Sequence, residues 1–154
     1  MYSAKRTTSE NTDFNTLIID LNNYLSTQYG EVQKQYSPHN KVEGIDTVIV
    51  IYDGDKPIGC GCFKPYDEDA VEIKRMYVRP EARNQGVGAL IMQNLEQWAT
   101  ELGYKACVLE TGDKQPEAVA LYEKVGYVVT EKYGVYVDLN NSICMRKSLA
   151  STQM

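Results

Sequence analysis

Six residues, Arg83-Asn84-Gln85-Gly86-Val87-Gly88, stand between a strand-like run and a helix-like run, and they constrain the fold more than any other part of the chain. Two glycines at such a junction let a ligand's oxygens approach the main chain, and the first amides of the following helix have no intrahelical acceptor. With the helix dipole behind them, those amides form an anion site suited to a pyrophosphate. Two other phosphate loops are excluded. A dinucleotide-binding fingerprint needs a third glycine where Ile91 stands, and it should follow the first strand of a strand–helix–strand unit; a nucleotide P-loop needs Gly-Lys-Ser/Thr.

The residues around the loop read as alternating helices and strands. After a short extended opening, Phe14, Leu17, Ile18, Leu21 and Leu25 recur at helical spacing, with Thr12 or Asp13 as the cap and Gly30 as the stop. Residues 31–44 are polar, with room for a short second helix. Thr47–Tyr52 and Ile58–Phe63 read as a hairpin around Asp53-Gly54-Asp55, and Val71–Val78 follows as a third strand, ended by Arg79-Pro80. Beyond the loop, Val87, Leu90, Ile91, Leu95, Trp98, Ala99 and Leu102 mark a helix, with Gly103 where a C-terminal cap belongs. Ala106–Leu109 is a short buried strand, so this strand–helix–strand order predicts a parallel crossover. Pro116 opens another helix, striped by Ala118, Leu121, Tyr122 and Val125 and closed by Gly126; Tyr127–Thr130 and Ile143–Lys147 are the last strands. The expected architecture is a single α/β (α+β) domain over 1–154, its mixed, mostly antiparallel sheet flanked by helices.

Composition limits the partners. Of 154 residues, 43% are apolar and 24% charged, an ordinary globular balance. Acidic residues outnumber basic ones, 21 to 16, for a formal charge of −5, which argues against a general nucleic-acid surface. No run approaches ~18 apolar residues and no signal-peptide core opens the chain, so neither a membrane partner nor export is expected and the location reads as cytoplasmic. Cys60, Cys62, Cys107 and Cys144 form no paired CxxC motifs, and His39 is the single histidine, so no metal site is expected. The four cysteines read as plain thiols without catalytic duty.

Together with Met76-Tyr77-Val78-Arg79-Pro80 upstream and Ala118-Val119-Ala120-Leu121-Tyr122-Glu123-Lys124-Val125-Gly126-Tyr127 downstream, the loop resembles the GNAT superfamily of N-acetyltransferases. The superfamily's Arg/Gln-x-x-Gly-x-Gly/Ala loop is matched by Arg83, Gly86 and Gly88. Its Leu-Tyr-x-Lys-x-Gly-Phe/Tyr signature is matched by Leu121, Tyr122, Lys124, Gly126 and Tyr127. The match covers Val48 to Tyr127 well and the remainder by element order. The resemblance implies acetyl-CoA as co-substrate, wedged where Val71–Val78 splays from Ala106–Glu110. It also implies that main-chain groups along Met76, Tyr77 and Val78 pair with the pantetheine arm, the Met76 N–H polarising the acetyl carbonyl. The amides of Asn84, Gln85, Gly86, Val87 and Gly88 would hold the pyrophosphate. Gln115, followed by Pro116, stands where the family often places an asparagine that contacts the pantetheine or the strand.

The resemblance further implies direct attack by a free amine in a ternary complex, with Tyr122 as the acid for the departing thiolate and Glu72 as a base. Plainer readings stand beside both. Tyr122 lies on an apolar stripe, where tyrosines serve as core. Glu72 alternates onto one strand face with Lys74 and Met76, opposite Val71, Ile73 and Arg75, where a surface Glu–Lys pair is the alternative. The implied acceptor is a primary amine of a small molecule or peptide, gripped by the N-terminal helices and the last two strands. Those parts hold Tyr24, Tyr29, Tyr36, Tyr133 and Tyr136, whose rings and polar tips suit a pocket wall or a solvated surface equally. Family analogy adds a homodimer. A noncatalytic acyl-CoA-binding sensor that keeps the loop is the alternative function.

Overall fold

The computed structural model describes residues 2–30 and 44–149. The second helix expected within 31–44, with Tyr36 and His39, falls almost wholly outside the described residues. The elements run β1 (Tyr2–Thr7), α1 (Thr12–Tyr29), β2 (Val48–Asp53), β3 (Lys56–Pro65), β4 (Ala70–Val78), α2 (Val87–Glu101), β5 (Ala106–Gly112), α3 (Pro116–Lys124), β6 (Val128–Thr130) and β7 (Ser142–Ser148). Short 3-10 segments lie at Pro80–Ala82 and Gly134–Asp138. The strands form one seven-stranded sheet in the order β1-β2-β3-β4-β5-β7-β6, antiparallel except at β4–β5. The extended opening is β1, which pairs with β2 from Tyr2↔Asp53 to Thr7↔Val48.

Period-two alternation sends successive residues of β2 to opposite layers. Val48 and Val50 pack with Phe14, Leu17 and Leu21 of α1, while Ile49 and Ile51 pack with Ile91, Met92 and Leu95 of α2. The Gly59-Cys60-Gly61-Cys62 segment of β3 follows the same rule. A Cβ on Gly61 would stand 2.7 Å from Met76 Sδ and 2.8 Å from Ile91 Cγ2, so the missing side chain is what lets α2 lie this close. Cys60 and Cys62 face α1 as free, buried thiols. Burial pushes the Cys62 thiol up to about 12, which keeps it protonated and inert.

Two expectations need correction. The cap of α1 is Asn11, one residue before the expected Thr12 or Asp13. Its side-chain oxygen accepts from the Phe14 amide at 2.9 Å, the third helical position, where an Asx cap reaches an unspent donor. Asp13 instead accepts the Tyr52 hydroxyl at 2.7 Å.

The second correction concerns β4. Lys74 stands opposite Cys62 and Tyr77 opposite Cys60, so Arg75 and Met76 together face the single residue Gly61. Arg75 has φ +57°, and the inserted residue re-phases the strand as a β-bulge does. Met76 therefore packs on the α2 side beside Gly61, whereas Arg75 donates to Asn22 of α1 and Tyr77 joins the α1-side cluster. The expected face sharing holds as far as Lys74 and is reversed for Arg75 and Met76.

Candidate active site

The parallel pairing of β4 with β5 runs from Ala70↔Ala106 to Ile73↔Leu109 and stops. β4 continues to Val78 against β3, and β5 continues to Gly112 against β7, so a gap opens between them. The Arg79 amide donates to the Ile58 carbonyl at 2.8 Å. Counting back in twos, Tyr77 bonds toward β3, and the main-chain groups of Met76 and Val78 face the gap.

Two cavities meet there. A cleft of about 650 Å³ runs along the end of β4, the loop and α3, and takes in Met76, Tyr77, Val78, Arg83, Gln115 and Tyr122. A smaller cavity of about 100 Å³ takes in Glu72, Lys74, Arg75, Glu110, Thr111 and Tyr136. Leu21, Met76, Gln115 and Tyr122 line both and form the wall between them.

The loop between β4 and α2 has an unusual backbone. Asn84 (φ +64°) and Gly86 (φ +81°) are both left-handed, and Gly86 caps α2. Among the described residues, no amide from Asn84 to Ala89 donates to a main-chain carbonyl. Successive unspent amides of this kind form an anion nest. Asn84, Gly86, Val87 and Gly88 line the larger cleft, and Lys114 and Lys124 add positive charge to it. These donors fit a diphosphate such as that of CoA. The Gln85 side chain turns away, accepting from the Tyr2 hydroxyl and donating to the Glu81 carbonyl at 3.2 Å. The Arg83 guanidinium folds back to the Val78 carbonyl at 2.9 Å and lies over the Tyr24 and Tyr77 rings, at 5.4 and 5.8 Å. Arg83 thus braces the loop against the open end of β4.

Tyr122 is 7% exposed and packs edge-on against Tyr127, yet it borders both cavities. Core packing and cavity lining coincide at this residue. Burial raises its phenol, helped by the nearby Glu110 charge, so the hydroxyl keeps its proton at neutral pH.

Glu72 is buried and accepts from the Tyr133 hydroxyl at 2.9 Å, with Lys74 Nζ 3.7 Å and Lys64 Nζ 4.0 Å away. A Glu–Lys pair therefore exists, but with Lys74 it is buried rather than on the surface. Lys74 Nζ also donates to the Tyr136 hydroxyl at 3.2 Å, and desolvation lowers its affinity for its proton. Of the tyrosines expected at an acceptor pocket, Tyr136 lines the smaller cavity and Tyr133 reaches it through Glu72. Tyr24 belongs to the larger cleft.

Glu110 was not among the expected site residues. It is the first residue of β5 past the last parallel pair, and it accepts from the Ser142 hydroxyl at 2.9 Å. Desolvation pushes its carboxyl up to about 7, opposed by the Ser142 hydrogen bond and the Lys74 charge. The available signal was an acid ending the apolar run Ala106–Leu109. Among the described residues, no group of three His, Cys, Asp or Glu is placed to hold a metal, and no helix is long and apolar enough to cross a membrane.

Comparison with known proteins gives a consistent result. Residues 15–127 match the profile of the Acetyltransferase (GNAT) family. An uncharacterised N-acetyltransferase of Schizosaccharomyces pombe is 35% identical over 94 residues, 60% of this chain and 57% of that protein. An uncharacterised N-acetyltransferase of Bacillus subtilis is 36% identical over 94 residues, 60% of this chain and 64% of that protein. The match thus spans less than two-thirds of the length of these curated relatives. A Klebsiella pneumoniae protein assigned to the acyl-CoA N-acyltransferases superposes with a TM-score of 0.82 at 27% identity, covering 97% of this chain and 99% of that one. A GNAT family acetyltransferase from Elizabethkingia anophelis, solved with acetyl-CoA bound, shares the fold at a TM-score of 0.69 and 20% identity, covering 96% and 98% of the two chains.

Proposed function

This chain belongs to the GNAT family of acetyltransferases, and from that membership we propose that it transfers an acetyl group from acetyl-CoA to a primary amine of a small molecule or peptide. The observation that carries the reading is the position of Tyr122 in the wall shared by the two cavities. The larger cleft is assigned to the co-substrate and the smaller cavity to the acceptor. In this reading the amides of Asn84 to Gly88 hold the diphosphate, with Lys114 and Lys124 beside it. Gln115 and the main chain of Met76, Tyr77 and Val78 border the pantetheine arm.

Bound acetyl-CoA supplies the acetyl group as an activated thioester. The Met76 N–H stabilises charge on the carbonyl oxygen, a role in which one donor is typically worth about 3 kcal/mol. Glu110, with its carboxyl near 7, accepts a proton from the incoming ammonium. Glu72, held by Lys74 and Tyr133, borders the same cavity. Tyr122 gives its proton to the sulfur as the C–S bond breaks and the C–N bond forms. Over one turnover the nitrogen loses two protons and the sulfur gains one, so one proton is released.

A thiol-release assay with acetyl-CoA against a panel of amines and peptides tests the proposal. Turnover that depends on the acceptor supports it. Tight CoA binding without turnover would favour the sensor reading, and absence of any CoA-induced rise in melting temperature would remove both.

A further inference from the structure

Three of the four charged side chains in the smaller cavity answer one another. Lys74 lies 3.7 Å from Glu72 and within the field of Glu110. Arg75 is the exception. It is 7% exposed, and the one hydrogen-bond partner of its side chain among the described residues is the neutral amide oxygen of Asn22. Its Nε is buried with no hydrogen-bond partner among the described residues. The contrast with Arg79, four residues on and 22% exposed, is sharp: that guanidinium meets Asp20 at 2.8 Å.

A buried guanidinium without a counter-ion is strongly unfavourable, and arginine does not escape by losing its proton. The bulge keeps it there, in a left-handed backbone conformation seldom adopted by residues other than glycine, asparagine and aspartate. Arg75 lines the smaller cavity and not the larger cleft, so an anion that pairs with it would lie on the acceptor side. We propose that Arg75 is the specificity residue of this chain, that it binds a carboxylate of the acceptor, and that the acceptor is an α-amino acid.

The arrangement around Arg75 suits such a molecule. Its neighbour in sequence is Met76, whose amide faces the gap, and Glu72 and Glu110 border the same cavity. The same cavity thus offers Glu72 and Glu110 to the amine of an α-amino acid and Arg75 to its carboxylate. A cavity of about 100 Å³ is several times the space one water needs and admits this compact zwitterionic head.

The inference rests on the acetyl-transfer reading, and its test separates the two. Full-length protein is assayed with acetyl-CoA against α-amino acids, their α-amides and the matching decarboxylated amines. The free acids are expected to be preferred about 10- to 100-fold in kcat/KM, the range of a charge-assisted pair, and Arg75→Gln is expected to bring that ratio close to one. Arg75→Lys should keep part of it. In parallel, N-acetyl amino acids and N-acetyl amines are titrated calorimetrically into CoA-loaded wild type and Arg75→Gln, which reads carboxylate recognition without turnover. Equal use of amines and acids by the wild type, or a preference unchanged in a folded Arg75→Gln, overturns the inference while leaving acetyl transfer intact. Absence of turnover with every acceptor, with Arg75-dependent binding of N-acetyl amino acids, would remove the activity and keep the recognition.

Discussion

The Ser142 hydroxyl donates to the Glu110 carboxylate at 2.9 Å across the β5–β7 pair, and this hydrogen bond steadies a carboxyl raised by burial to about 7. If Glu110 takes the acceptor's proton, kcat/KM should rise with pH up to about 7 and then level. Glu110→Gln should abolish that limb and lower kcat by about 10²- to 10⁴-fold. A pH–rate profile of both proteins checks this.

The same shift has a consequence for stability with a definite sign. The Glu110 carboxyl has a pKa near 4.5 when unfolded and about 7 when folded, so the folded state holds its proton more tightly. The contribution is fully present below 4.5 and is lost as pH rises through 7. Wild type should therefore lose melting temperature relative to Glu110→Gln between these values, in paired thermal melts.

Tyr122→Phe removes the proposed proton donor and leaves the ring packed against Tyr127. We expect kcat to fall about 10- to 100-fold at pH 7 with little change in CoA affinity, measured by steady-state kinetics and calorimetry. An unchanged kcat would make Tyr122 a packing residue only.

Gly86→Val should raise the KM for acetyl-CoA. Nothing lies within 4 Å of a Cβ at this position, so the effect comes from φ +81°, which a β-branched residue resists, and not from a clash. The helix should persist by circular dichroism while the nest is lost.

Gly61→Ala tests the packing of α2. Its methyl would press on Met76 Sδ, Ile91 Cγ2 and Leu95 Cδ1, at 2.7, 2.8 and 3.1 Å. Overpacking of this kind costs about 1–3 kcal/mol, readable by urea unfolding.

The loop, the helices and the parallel junction were legible because each is written in local signals: glycines at a strand–helix joint, apolar stripes, Pro116 at a first turn. The bulge at Arg75 was not, since no residue preference marks an arginine as left-handed; the conformation is imposed by the register of β3 around Gly61. Glu110 escaped for a related reason. Its carboxyl is raised by burial and partly held back by the bond from Ser142, 32 positions away, and neither effect is local. The Asn11 cap was a smaller miss, because Asn11, Thr12 and Asp13 are all competent caps and only the path of the chain chooses between them.

The inserted residue in β4 makes that strand intolerant of changes in length rather than of changes in letter. Deleting one residue between Arg75 and Val78 would leave every amino-acid type plausible for a strand, yet exchange the layers into which Met76 and Tyr77 are delivered. Substitutions there can be absorbed one side chain at a time, whereas an indel rewrites both faces of the sheet at once. Natural or laboratory variation in β4 should therefore accumulate as replacements at constant spacing.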